Sequence, residues 1–333
     1  MAVSIQQIAS KVGVSKAAVS MALRNNPRIS GARRSEIHKI AIEMGYEPNV
    51  LARALSGGRT KTVGILWGLM SGPHSPTETA QNIAMRVQAN GYIPSIIDTT
   101  YLDMVESTIS EYANRQVDAV ILQWPYSEPL GESLISRLKP FHATVIVAPR
   151  EYPSRFDQVI QDRTSAMHEV ATYLKKTGRS RPVVLIGFQS KADSYVKALR
   201  EQGIEVAMDL IVRKPAKSLD ELFTVLDERI GMQQEKPDVV ICNNDEEALV
   251  VMAWARDKGL RVPDDIAIIG FNDSRICKFM ATPLASIARE DNKMVDAIEQ
   301  MLFSRLKNPQ QQQQKKVIPM RFVWRESAGS KID

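Results

Sequence analysis

The residue types that usually carry out covalent or acid–base chemistry are thinly spread along this chain. Its four histidines, His38, His74, His142 and His168, lie far apart, and none belongs to an H-E-x-x-H helix. Cys242 and Cys277 are the only cysteines, which form neither a C-x-x-C metal pair nor a disulfide framework. There is no G-x-S-x-G elbow, Walker loop or G-x-G-x-x-G turn, so neither a metal nor a cofactor is expected. What is concentrated is positive charge. Up to residue 62 the chain carries ten basic residues (Lys11, Lys16, Arg24, Arg28, Arg33, Arg34, Lys39, Arg53, Arg59 and Lys61) against Glu36, Glu43 and Glu47. That is a net +7, which leaves −2 for the rest of a chain totalling +5. Ammonium and guanidinium groups gathered on one short segment suit phosphate oxygens and base edges, although a solvated basic face has the same composition.

The elements beneath these cations narrow the choice. Ile5, Ile8, Ala9 and Val12 recur at helical spacing. Gly13 breaks the run, and Ser15 is a good cap for a second helix whose buried face is Val19, Ala22 and Leu23. Helix, glycine turn and capped short helix is the helix-turn-helix pattern, whose second helix lies in the DNA major groove. Asn25, Asn26 and Pro27 form a loop. Ser30 caps a third helix with Ile37, Ile40, Ala41 and Met44 on one face, Gly45 ends it, and Pro48 forbids its continuation. In YEPNVLARALSGGRTKT (46–62), Asn49 can cap a short helix before Gly57–Gly58. Such a helix is too short to persist alone in water and needs DNA or a partner chain; a plain linker is the alternative.

A length of 333 residues suits two or three domains, and a 44% hydrophobic share fills their cores. No apolar run is long enough to cross a bilayer, and MAVSIQQ is not a signal peptide, so a cytoplasmic protein away from membranes is expected. From Thr62 short apolar runs alternate with amphipathic stretches. The first set is VGILW (63–67), a helix near 77–90, PSII (94–97), a helix near 103–114, AVIL (119–122), a helix near 127–138 and TVIV (144–147). The second is VVLI (183–186), helices near 192–202 and 218–230, DVVIC (238–242), a helix near 246–258 and IAIIG (266–270). Two such sets imply two parallel-sheet lobes with a cleft beyond the carboxyl ends of their strands.

The segments IQQIASKVGVSKAAVSMAL and ISGARRSEIHKIAIEMGYEPNVLARALSGGRTKTVGIL, with MRFVWRESAG near the C-terminus, resemble the LacI/GalR family of bacterial transcription regulators over nearly the whole chain. The resemblance implies an N-terminal all-α helix-turn-helix head (1–47), a hinge helix or linker (48–61) and an α/β periplasmic-binding-protein-like body of two parallel-sheet lobes (62–333). Their boundaries fall at about 62–161 with 291–318, and 162–290 with 319–333. It implies a repressor that binds a palindromic operator in double-stranded DNA as a homodimer and answers to a small-molecule effector. Ser15, Lys16, Ala17 and Ser20 would face base edges or phosphates. Lys16 would carry more hydrogen-bonding readout than Ala17, which can meet only a thymine methyl or another apolar edge. Met21 stands where many members have Arg, with Arg24 as the compensating cation. Asn25, Tyr46 and Asn49 complete the DNA-binding set. Leu55 matches the hinge leucine that wedges into a minor-groove step, and Ala52 the small neighbour that lets two hinge helices approach.

The same resemblance places effector contacts. Asn244 and Asp245 in ICNNDEEAL match its A-N-D-x-x-A segment. Asn272 in IIGFNDS replaces the first Asp of V-G-F-D-D-S, Lys191 replaces the Arg of R-x-x-G-F, and Pro149 replaces the Asp of V-L-I-D-R. Two carboxylates lost and a cation kept point to an effector with anionic character, a sugar phosphate or sugar acid. A solvated Lys191 is the alternative. Trp67 and Trp124 end strands, where stacking on a ligand ring and core packing explain them equally well. Asp245 and Asp273 could pair as acid and base, but both lie in effector segments, so no enzyme is expected. Gln310–Gln314 reads as a surface loop, and no heptad helix follows Ser327, which favours a dimer over a coiled-coil tetramer. Other readings are a corepressor- or partner-dependent regulator of the same fold, and a solute-binding protein, which would need an export signal.

Overall fold

The structure, a computed structural model, describes residues 3–23, 25–46, 59–68, 76–99, 102–126, 128–186, 189–206, 211–213, 219–231 and 236–329. It divides into two compact units, 1–60 and 61–333. In the first, α1 (Ile5–Val12), α2 (Lys16–Leu23) and α3 (Gly31–Glu43) pack around Ile8, Val19, Ala22 and Ile37, all fully buried. Ser4 and Gln7 form a reciprocal capping box at α1, and Gly13 closes that helix at φ 70°. Three short helices bury little surface, so polar pins supplement the core. Arg33 Nη2 donates to the Val12 carbonyl (2.9 Å), Arg34 Nη1 to the Asn25 carbonyl (3.0 Å), and His38 Nε2 lies 3.2 Å from the Ala22 carbonyl.

The second unit has two lobes. The N-lobe contains β1 (Thr62–Trp67), α4 (Pro76–Ala89), β2 (Ile93–Asp98), α5 (Leu102–Asn114), β3 (Ala119–Gln123), α6 (Glu132–Leu138), β4 (Ala143–Ala148) and β5 (Asp157–Asp162). The chain then builds the C-lobe: α7 (Thr164–Thr177), β6 (Pro182–Ile186), α8 (Gln189–Glu201), β7 (Ile211–Arg213), α9 (Leu219–Leu226), β8 (Val239–Ile241), α10 (Asp245–Asp257), β9 (Ala267–Asn272) and β10 (Ala285–Ala288). It returns to the N-lobe for α11 (Asp291–Lys307) and β11 (Lys315–Pro319), and ends in the C-lobe with β12 (Arg321–Val323). The sheet orders are β11-β5-β4-β3-β1-β2 and β12-β10-β9-β8-β6-β7. Helices cover both faces, which is why runs such as VGILW and ATVIVA are apolar without alternation.

The C-lobe sheet is not wholly parallel as expected: β12 runs antiparallel to β10. Only Met320 separates β11 from β12, so the chain passes nearly straight from one sheet to the other and enters the C-lobe against its strands. Since β11 leaves the N-lobe parallel to β5, the carboxyl ends of the two sheets face the same junction. The helix expected from 127 begins at Glu132, behind Gly131 as its N-cap. Gly64 in β1 leaves space for the Tyr112 ring of α5, whose hydroxyl donates to the Ser95 carbonyl (2.7 Å). Any Cβ at residue 64 would collide with that ring.

The glutamine run is a loop held in place rather than a loose one. Arg305 pairs with buried Asp157 through Nε (3.0 Å) and Nη2 (2.7 Å) and also donates to the carbonyls of Gln311 and Gln312. Gln314 N donates to Asp157 (2.8 Å), and the side chains of Gln311 and Gln314 both reach Ser304 Oγ (3.0 Å). Among the described residues no helix is long and apolar enough to cross a membrane.

Candidate nucleic-acid interface and ligand cleft

The turn between α1 and α2 is built by the residues expected to build it. Val14 N donates to the Ala9 carbonyl (3.1 Å), and the Ser15 hydroxyl accepts from Ala18 N (3.1 Å). Burial of Val19 and Ala22 fixes the rotation of α2. It leaves Ser15, Lys16 and Ala17 exposed and Ser20 and Met21 half-buried along the outward side. Such a helix presents its first turn to a groove, with a lysine as its longest donor. Asn25 ends α2 at φ 56°, and its carbonyl is taken by Arg34. Tyr46 packs half-buried on the head core. Arg24, Asn49, Ala52 and Leu55 lie outside the described residues. Charge counting missed that Arg33 and Arg34 brace the head: Arg33 also pairs with Glu36 (2.7 Å).

In the body, the two matched segments of the C-lobe meet each other. Asn244 caps α10, its side-chain oxygen accepting from Glu247 N (2.8 Å). Asp245, 3% exposed, accepts from Ser274 N (2.7 Å) and from the Ser286 hydroxyl (2.6 Å), and Ser286 Oγ accepts from Asp273 N (3.0 Å). Burial raises the Asp245 carboxyl above its ordinary pKa, against the pull of these donors. Gly270 is required beside it, because a Cβ there would strike Asp245 Oδ1. The network holds the turn after β9, where Asn272 and Asp273 have φ of 104° and 56°, with Asn272 half-buried at the carboxyl end of the strand. Asp273 therefore serves a turn, with Arg325 Nη2 2.7 Å from its Oδ1.

The N-lobe rings are enclosed. Trp124 is 5% exposed, lies edge-on to Tyr126 at 4.7 Å between centroids, and donates Nε1–H to the Glu128 carbonyl (2.8 Å). That geometry favours packing over ligand stacking for Trp124. Trp67 is fully buried at the end of β1. Lys191 falls in the first turn of α8, and its side chain lies outside the described residues.

Other groups at the lobe junction were not read from the sequence. Arg163 follows β5 and is 8% exposed; Arg289 follows β10, its side chain 7% exposed. Arg289 Nη2 donates to Asp291 Oδ2 (2.8 Å) and Thr79 Oγ1 (3.1 Å), and Thr79 also donates to Asp291 Oδ2 (3.0 Å). This set ties the exit of β10 to the first turn of α4. Arg275, beyond β9, reaches Glu78 of that turn at 3.1 Å. The one available signal was the charged R-E-D run at 289–291, sitting between two apolar stretches.

Comparisons with known proteins follow this division. Residues 4–49 match the family described as bacterial regulatory proteins, lacI family, and residues 162–328 match the periplasmic binding protein-like domain. The chain is a member of the lacI family of DNA-binding transcription regulators, with a periplasmic-binding-protein-like body. Among its relatives, the probable transcriptional repressor ExuR of Bacillus subtilis is 26% identical, over 98% of each chain. The repressor CytR of Escherichia coli is 29% identical, over 86% of this chain and 85% of that one. Among solved structures, the lac repressor dimer bound to operator and the anti-inducer ONPF has a TM-score of 0.78 at 18% identity, over 99% and 100% of the two chains. A complex of the regulator CelR with cellobiose has a TM-score of 0.67 at 21% identity, over 98% and 99%. These relatives are regulators rather than enzymes.

Proposed function

We propose that this protein is a cytoplasmic repressor that binds a palindromic operator as a homodimer and changes operator affinity when a small sugar-like effector occupies the space between its lobes. The observation that carries the reading is the outward side of α2, where Ser15, Lys16 and Ala17 are exposed on a helix whose rotation is fixed by buried Val19 and Ala22. Twofold symmetry of the operator follows from pairing two such heads. A solved relative is a dimer with operator and anti-inducer, and another carries cellobiose, which supports the same division of labour here.

The dimer reading has its own support. Phe279 (76% exposed), Ile276 (41%), Met85 (65%) and Ile93 (57%) are large apolar side chains left in solvent. The Arg275–Glu78 pair sets the segment bearing Ile276 and Phe279 beside the start of α4, the helix that bears Met85. Covering such residues with a second copy removes apolar surface from water. Phe279→Glu is therefore expected to halve the particle mass in light scattering and to weaken operator binding by about tenfold or more, because a monomer holds one half-site. An unchanged mass would remove this face from the interface.

Effector action is a difference in affinity between two lobe arrangements, so operator and effector must alter each other's binding by the same factor. Fluorescence anisotropy of operator DNA, with and without fractions of cell metabolites, tests this. Release by a fraction means induction, and tightening means the corepressor variant of the same reading. A metabolite that binds the body without moving operator affinity refutes effector control. At equal salt, Lys16→Ala is expected to relax base preference at one operator position per half-site, by about 1–3 kcal/mol of discrimination. An unchanged preference profile would remove Lys16 from base readout.

A further inference from the structure

The helix that faces outward in the head, α2, is short and lightly held. It has eight residues, and the side chains it buries completely, Val19 and Ala22, are small. Two such contacts set its rotation about its own axis. They restrain its tilt weakly, because they bury little apolar area. Its ends must therefore be fixed by polar bonds. The first end is fixed by the turn from α1, through Val14 N to the Ala9 carbonyl (3.1 Å) and Ala18 N to the Ser15 hydroxyl (3.1 Å).

The far end is closed by its own backbone and then gripped by α3. Asn25, at φ 56°, donates its N–H to the Ala22 carbonyl (2.9 Å), and Asn26 N donates to the Met21 carbonyl (3.0 Å). These are the paired bonds of a Schellman stop, with asparagine in the left-handed position. Onto this stop α3 adds two half-buried side chains, one turn apart on a single stripe. Arg34 Nη1 donates to the Asn25 carbonyl (3.0 Å), and His38 Nε2 lies 3.2 Å from the Ala22 carbonyl. A carbonyl only accepts, so Nε2 carries the ring proton and donates it. The stop would satisfy its own carbonyls without α3. The two side chains add a tie from α2 to another helix.

We propose that His38 and Arg34 are positioning residues for operator reading. Acting through the carbonyls at the end of α2, they set the direction in which that helix presents Ser15, Lys16 and Ala17 to a groove. An eight-residue helix is about 12 Å long, so a tilt of about 10° moves one end against the other by about 2 Å. A binding constellation must be held to roughly 0.5 Å, so such a tilt spoils base contacts while leaving charge near the phosphates. The inference rests on the reading that α2 enters operator DNA.

The test uses the full-length protein with two duplexes at one salt concentration: a palindrome selected by the wild type and a random sequence of the same length. His38→Ala removes the donor without removing a lysine or arginine. It is expected to lower affinity for the palindrome about tenfold, the loss of one neutral hydrogen bond in each of two heads. Affinity for the random duplex should stay within about twofold, since the phosphate contacts are kept. His38→Gln, which offers an amide N–H in place of the ring N–H, should recover most of the loss. Arg34→Lys keeps the charge but not the planar fork, and should lower palindrome affinity a few-fold with an unchanged salt slope. The base-preference profile of His38→Ala should flatten at several positions of each half-site, where Lys16→Ala flattens one. An unchanged ratio of palindrome to random affinity in both His38→Ala and Arg34→Lys overturns the proposal. Where His38→Ala loses both duplexes together, Arg34→Lys decides: equal losses there too would show that these bonds only keep the head folded, and would also overturn it. If the wild type prefers a palindrome and the variants do not shift the ratio, this inference alone falls. If the wild type prefers none, the regulator reading falls.

Discussion

Leu55→Ala is expected to weaken binding to the specific operator by on the order of a hundredfold while changing affinity for random duplex only a few-fold. A leucine wedge contributes only where a base step opens to receive it, and a kink at one step depends on the sequence of that step. Non-specific binding depends on phosphate neutralisation by the basic head, whose net +7 is unchanged by the substitution. Titration of both duplexes at one fixed salt concentration separates the effects. Equal losses on both would show that Leu55 acts through general folding of the hinge and not at a kinked step.

The second large effect is expected in the C-lobe. Asp245→Ala should destabilise the body by about 3 kcal/mol, because it strands the Ser274 N–H and the Ser286 hydroxyl inside the fold. Those bonds also hold Asn272 and Asp273 at positive φ, a strained turn that persists only while its surroundings enforce it. Asp245→Asn keeps the shape and should cost less. Burial raises the Asp245 pKa, so the folded protein keeps this proton more readily than the unfolded chain. The stabilising share of that shift is complete below the ordinary carboxylate value and is lost as pH rises through the raised one. Asp245→Asn should therefore flatten part of the pH dependence of the melting temperature. Unaltered melting, with a loss confined to ligand binding, would make Asp245 a direct effector contact.

Much of the fold is legible because local signals agree with packing. Gly13 and Ser15 announce the turn into α2, and apolar runs such as AVIL and IAIIG announce parallel strands covered on both faces. The strand DQVIQD is not legible, because its polar residues are buried against partners that no periodicity reveals. Asp157 is buried against Arg305, and Gln158 bonds to both the N–H and the carbonyl of Tyr152. The direction of β12 depends on the single residue joining it to β11, which no periodicity reveals. The resemblance marked two segments that meet in the C-lobe. Asn244 caps a helix and Asp245 anchors a turn. Arg163 and Arg289 went unnoticed because burial is a tertiary fact, and in the sequence they are two ordinary surface-type cations.

The most direct test of the account is selection by the full-length protein from a library of random DNA duplexes. The account expects enrichment of an inverted repeat, two half-sites related by a dyad, held by two copies of the chain. Recovery of no symmetric motif above the starting pool would contradict it.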